Sequence, residues 1–213
     1  MSTNIQYTNE NYQVVTERQL NMLSSYFKHT YENDKLKKME IFSFNKISRQ
    51  LAQTGGTYYL SANEDLQNII DQSLSNGKDW LFYYNETTNP SNDNLWDYEI
   101  YSNGVIREKG KKCFDSSARP IAVCSSKPEA EVYSGKAKFF YGDSLLFPKP
   151  FDGAAAFSFW YDQDNNPTEV YCEYGMETDN DYSIDEFIAQ DSIMAIFPWE
   201  QYIYYHNFEP MLP

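Results

Sequence analysis

The chain of 213 residues (25.0 kDa) carries 31 Asp and Glu against 17 Lys and Arg, a formal net charge of -14. Apolar residues at 41% and aromatic residues at 17% exclude a disordered polymer, because disordered chains are poor in the side chains that build a core. No run approaches the roughly 18 apolar residues of a membrane-spanning helix, and the length suits one domain with a proper core.

The opening stretch, MSTNIQYTNENYQVV, lacks the basic and apolar segments of a secretory signal, so a cytoplasmic location is expected. Residues 1 to 15 are expected to form an N-terminal arm, open to disorder, ahead of a single α+β domain over residues 16 to 213. Thr16-Glu17-Arg18-Gln19 has capping-box spacing, with Leu20, Leu23 and Phe27 following at helical intervals, which predicts a helix from about 17 to 31. Phe44, Ile47 and Leu51 predict a second helix over 43 to 53, closed by Gly55-Gly56. A short strand is expected over 57 to 60. Ser61 to Glu64 is another capping box, and Leu66, Ile69, Ile70 and Leu74 form an apolar stripe that stops at Asn76-Gly77.

From Asp79 the period becomes that of a strand. Trp80 to Tyr84 and Leu95 to Tyr101 read as strands, with Asn103-Gly104 as a hairpin signal into Val105. Ile121 to Cys124, Glu131 to Tyr133, Lys136 to Tyr141, Ala155 to Tyr161 and Glu169 to Tyr174 extend the count. Ser183 to Glu186 is a third capping box, opening a helix to about Phe197, and Gln201 to Phe208 alternates as a last strand. The expected fold is therefore α+β, with N-terminal helices, a mostly antiparallel sheet of about six to eight strands, one late helix and a C-terminal strand.

Charge is unevenly spread. Residues 151 to 213 hold 13 Asp and Glu and no Lys or Arg, whereas residues 105 to 150 hold nine Lys and Arg against five acids. That basic segment includes Lys136 and Lys138 and reads as a solvated sheet edge, or as an internal counterweight to the acidic third. A net charge of -14 argues against binding nucleic acid, since long-range repulsion of phosphate outweighs a local patch.

Within the acidic third, Asp162, Asp164, Asn166 and Glu173 match the ligand spacing of a calcium-binding loop. Pro167 stands where that loop requires a glycine, and the flanks alternate with period 2 rather than helical period, so a turn between paired strands is the better reading. Cys113, Cys124 and Cys172, without C-x-x-C spacing, suggest neither disulfides nor zinc and read as reduced, buried thiols. His29 and His206 are the only imidazoles available to a Cys nucleophile, and no glycine-rich phosphate loop is present. Neither a cofactor nor a metal is expected.

What remains is the charge itself. Asp162, Asp164, Glu169, Glu173, Glu177, Asp179, Asp181, Asp185 and Glu186, with Trp160 and Tyr161 among them, would form a face for a basic protein if they point the same way. That pattern predicts a cytosolic binding or inhibitory protein, an immunity protein or antitoxin that occludes the active site of a basic toxin domain. Two alternatives stand beside it. A carbohydrate-binding or glycoside-processing domain would use the same carboxylates and aromatic rings, and an acidic protein with no dedicated basic partner would carry the charge for solubility.

Overall fold

The structure is a computed structural model that describes residues 2–74, 78–142, 155–172 and 181–213. Its strands are β1 (Thr3–Thr8), β2 (Val14–Val15), β3 (Ser25–Glu32), β4 (Lys35–Asn45), β5 (Gln50–Tyr59), β6 (Asp79–Thr88), β7 (Asn94–Ser102), β8 (Val105–Phe114), β9 (Pro120–Ser126), β10 (Gly135–Phe140), β11 (Phe157–Tyr161), β12 (Pro167–Cys172) and β13 (Asp181–Ser183). They follow one another through hydrogen bonds in the order β13-β12-β11-β10-β9-β8-β7-β6-β5-β4-β3-β1-β2. The β5–β6 pair is parallel, with Gly56 opposite Trp80. Its crossover is supplied by α1 (Leu66–Ser73), as a parallel connection demands.

These thirteen strands overturn the expected layout of leading helices and six to eight strands. The capping box at Thr16 does form, with the Thr16 amide donating to Gln19 Oε1 at 2.8 Å. It starts only a 3-10 turn, Glu17–Met22, before SYFKHTYE takes over as β3. Phe27, Thr30 and Tyr31 are residue types that favour a pleated surface, and the i, i+3, i+7 apolar spacing is satisfied equally by a turn followed by a strand. Between 43 and 53 the helix is replaced by a hairpin. Asn45 Oδ1 accepts from the amides of Ile47 and Ser48 (2.8 and 3.1 Å), and Arg49 takes a left-handed φ of 55°. Ile47, expected in a core stripe, is 96% exposed. The opening residues are strand β1, paired antiparallel to β3 from Thr3–Glu32 to Thr8–Phe27.

Gly55 and Gly56 are also not a helix stop. A Cβ on Gly55 would lie 1.9 Å from the carbonyl oxygen of Asp79, and one on Gly56 would lie 2.3 Å from that of Met39 and 2.8 Å from the Trp80 ring. Glycine is what lets β4, β5 and β6 approach so closely.

Packing divides the chain into two compact units, one of residues 1–86 and 97–109, the other of residues 87–96 and 110–213. The first buries Leu60, Ile70, Trp80 and Phe82, against which Leu66 and Ile69 of α1 also pack. Asp65 caps α1, accepting from the Asn68 amide at 2.8 Å.

The second unit is built on aromatic rings, with Phe157, Phe159, Phe187, Phe197, Trp199, Tyr205 and Phe208 in one cluster. Its late helix is two short ones, α2 (Ile184–Ile188) and α3 (Asp191–Met194), joined through Gln190 in an extended conformation. Phe187 and Ile193 would stand about 120° apart on one continuous helix, and the break lets both reach the core. The expected final strand is instead a pair of 3-10 turns, Trp199–Gln201 and Ile203–Tyr205. Tyr205, Phe208 and Met211 are buried at intervals of three, while Ile203 is exposed, so the period is that of a tight turn and not of a strand.

Candidate functional site

The hairpin of β11 and β12 carries the first of the acids. Asp162 Oδ1 accepts from the Asn166 amide (2.8 Å), the Asp162 amide donates to the Asn166 carbonyl (3.0 Å), and Asn165 adopts φ 70°. This is an Asx turn between paired strands, so Asp162 serves the turn. No group of three His, Cys, Asp or Glu among the described residues could hold a metal ion. Lys136 ties the turn down, donating to the Gln163 carbonyl (2.8 Å) and to Asn165 Oδ1 (2.6 Å).

Register then sorts side chains onto two faces. Phe157, Phe159 and Tyr161 of β11 and Val170 and Cys172 of β12 are buried. Trp160 points the other way and stands opposite Glu169, which stands opposite Ser183 of β13. In the next row Ser158 is opposite Tyr171 and Tyr171 is opposite Asp181. The outward face thus presents Trp160, 45% exposed, with Glu169, Tyr171 and Asp181 around it, and both carboxylates are exposed.

Of the other sequence-derived candidates, Asp164 is exposed at the hairpin tip. Asp185 and Glu186 form the exposed first turn of α2, where Glu186 completes the capping box with Ser183. Hydrogen bonds from the Ser183 hydroxyl and amide hold the Glu186 carboxyl below its ordinary value. Glu173, Glu177 and Asp179 lie outside the described residues. Tyr161 belongs to the core: it is 5% exposed and donates to the Tyr205 carbonyl at 2.8 Å, and burial raises its pKa. The alternation within β12 makes Tyr171 a companion of Glu169; that parity was the one sequence signal for it.

No Lys or Arg among the described residues pairs with Asp162, Asp164, Glu169, Asp181, Asp185 or Glu186. No described residue of the basic segment neutralises them, and two of its lysines are not solvated either. Lys136 is 8% exposed, and Lys138, at 0%, donates to the carbonyls of Tyr204, Asn207 and Pro210 at 2.7, 2.9 and 2.9 Å. Both bond backbone or amide oxygens of the acidic third and pair with no carboxylate among the described residues. Burial lowers the Lys138 pKa to about 7.

The thiols are buried, and desolvation pushes Cys113 and Cys172 up to about 12 and Cys124 up to about 11. His206 stacks on Trp199 (centroids 4.3 Å apart) and bonds its carbonyl, and the His29 ring bonds Thr8.

No family model matches the sequence, and neither the curated proteins nor the solved structures yield a match. No helix among the described residues is long and apolar enough to cross a membrane.

Proposed function

We propose that the chain is a cytoplasmic binding protein that captures a basic protein on the outward face of β11, β12 and β13, in the manner of an immunity protein or antitoxin covering the active site of a toxin domain. The observation that carries this reading is the pairing of half-exposed Trp160 with Glu169, flanked by Tyr171 and Asp181, with no Lys or Arg among the described residues paired with either acid.

Such a face combines two separable contributions. Tryptophan and tyrosine supply the desolvated anchors that dominate interface energies. Uncompensated carboxylates attract a positively charged surface from a distance and raise the association rate, an advantage when the partner does damage until it is bound. The remaining acids at the hairpin tip and at the start of α2 extend the same negative field.

The test is capture from a lysate of the source organism by the wild-type chain and by the Glu169→Lys, Asp181→Lys double variant in parallel. The expected result is one basic protein, retained in stoichiometric amount by the wild type, released by salt and lost from the variant. Equal capture by both chains, or binding indifferent to salt, overturns the reading.

A further inference from the structure

A second feature lies in the first unit and is independent of the acidic face. Thr30 of β3, Lys37 and Lys38 of β4, Gln53 and Tyr58 of β5, Lys78 just before β6, Trp80 of β6, and Gln72 of α1 line a cleft of about 360 Å³. That volume falls in the range of small-molecule pockets. Three lysines in one cleft are unexpected in a chain with so few cations, and their partners are unequal. Lys37 forms an ion pair with Glu64 and donates to Ser61 Oγ. Lys38 shares Glu40 with Lys28. Lys78 donates to Gln53 Oε1 at 2.8 Å and has no carboxylate partner among the described residues. Counting Glu32, which also lines the cleft, the four lysines face three carboxylates, so a positive charge is left over.

Trp80 forms part of the wall of the cleft. Trp80 is 2% exposed, and its Nε1 has no hydrogen-bond partner among the described residues. The ammonium groups of Lys38 and Lys37 lie over the Trp80 and Tyr58 rings, at 5.3 and 5.1 Å from their centroids. The aromatic faces are therefore covered by cations and do not offer a stacking platform. What the cleft presents to a ligand is donors, foremost the ammonium groups of Lys78 and Lys38. Against the upward pull of burial, hydrogen bonds from Lys37, the Ser61 amide and Tyr58 hold Glu64 below its ordinary pKa.

We infer that this cleft is a binding site for a small molecule bearing an anionic oxygen group, a phosphate or a carboxylate, which Lys78 and Lys38 neutralise. Phosphate and carboxylate are both flat or tripodal arrays of acceptors that suit converging N–H groups. The remaining volume accommodates a polar body bonded by Gln72, Gln53 and Thr30.

Calorimetric titration at matched ionic strength tests this with glucose 6-phosphate, glucuronate, inorganic phosphate and, as the neutral control, glucose. The expected result is saturable binding of at least one anionic probe, no binding of glucose, and an affinity about tenfold weaker in Lys78→Gln, the loss of one charge-assisted hydrogen bond. Binding of glucose 6-phosphate and phosphate alone assigns the site to phosphate; binding of glucuronate alone assigns it to carboxylate. Lys38→Gln should weaken the same probe, and Lys78→Gln covers the case in which that variant fails to fold. No saturable binding of any anion, equal binding of glucose, or unchanged affinity in Lys78→Gln overturns the inference.

Discussion

The ammonium of Lys138 lies 3.6 Å from the centroid of the Tyr204 ring and donates to the carbonyl of that same residue at 2.7 Å. With the Asn207 and Pro210 carbonyls as its other acceptors, one buried side chain fixes a C-terminal segment that has no sheet partner to satisfy its backbone.

Lys138→Met, similar in length and without donors, should therefore destabilise the chain by about 3 kcal/mol or more, because three carbonyls lose their shared partner. The pH dependence gives a sharper signature. Burial lowers the folded pKa to about 7 from 10.5, so above pH 7 the unfolded chain holds a proton that the folded chain has released. Stability then rises with pH. The buried thiols work in the opposite sense, since their folded values lie above 9.0 and the unfolded chain loses those protons first. Urea unfolding between pH 7 and about 8.5 should show a rise in the wild type that is absent in Lys138→Met. A flat profile shared by both chains would sink the assignment.

Gly56→Ala should cost about 3 kcal/mol or more, the upper range for overpacking, because the added carbon meets the Met39 carbonyl and the Trp80 ring in a region that cannot yield. Gly104→Ala is the internal comparison. Gly104 has φ 77° with open space around it, so only the left-handed strain of about 1–2 kcal/mol applies. Denaturant midpoints that rank the two variants in the reverse order would contradict the account of β4, β5 and β6 as strands brought together by missing side chains.

Much of the local chemistry was legible in the sequence. The boxes at Thr16 and Ser183 form their reciprocal bonds, whereas at Ser61 only the amide-to-Glu64 half forms and Asp65 caps the helix, and Asn103-Gly104 turns a hairpin as its residue types require. What was not legible was how far each signal extends. Phe44, Ile47 and Leu51 fit a helix face, yet Asn45 captures two amides and turns the chain instead. Likewise Gln201 to Phe208 alternates, but its carbonyls find Lys138, a residue some 66 positions earlier. The candidate face depended on register. Whether Trp160, Glu169 and Asp181 share a side follows only once Trp160 pairs with Glu169 and Tyr171 with Asp181. The lysine cleft draws on four strands and a helix, so no spacing along the chain could announce it.

Cys113, Cys124 and Cys172 should be silent towards a thiol reagent in the native chain. All three are buried, and their pKa values of about 11–12 leave almost no thiolate at pH 8, while the thiolate is the reactive species. Ellman titration should count none in buffer and three in guanidinium. Rapid native reaction of any one thiol would contradict the packing described for the second unit.

Trp160 and Tyr161 are neighbours in sequence, and the two-residue period of β11 gives them opposite fates. Trp160→Ala removes an outward side chain that is 45% exposed, so the midpoint of unfolding should shift little, within about 0.5 kcal/mol for a surface change, while affinity for the captured basic partner falls about tenfold or more, as for a tryptophan anchor. Tyr161→Phe removes the hydroxyl that donates to the Tyr205 carbonyl and should cost about 1–2 kcal/mol of stability with partner affinity unchanged. Measured side by side, unfolding and binding should therefore separate the pair completely. If Tyr161→Phe weakens capture and Trp160→Ala does not, the binding surface is not the outward face of β11, and the uncompensated acids along β12 and β13 need another explanation.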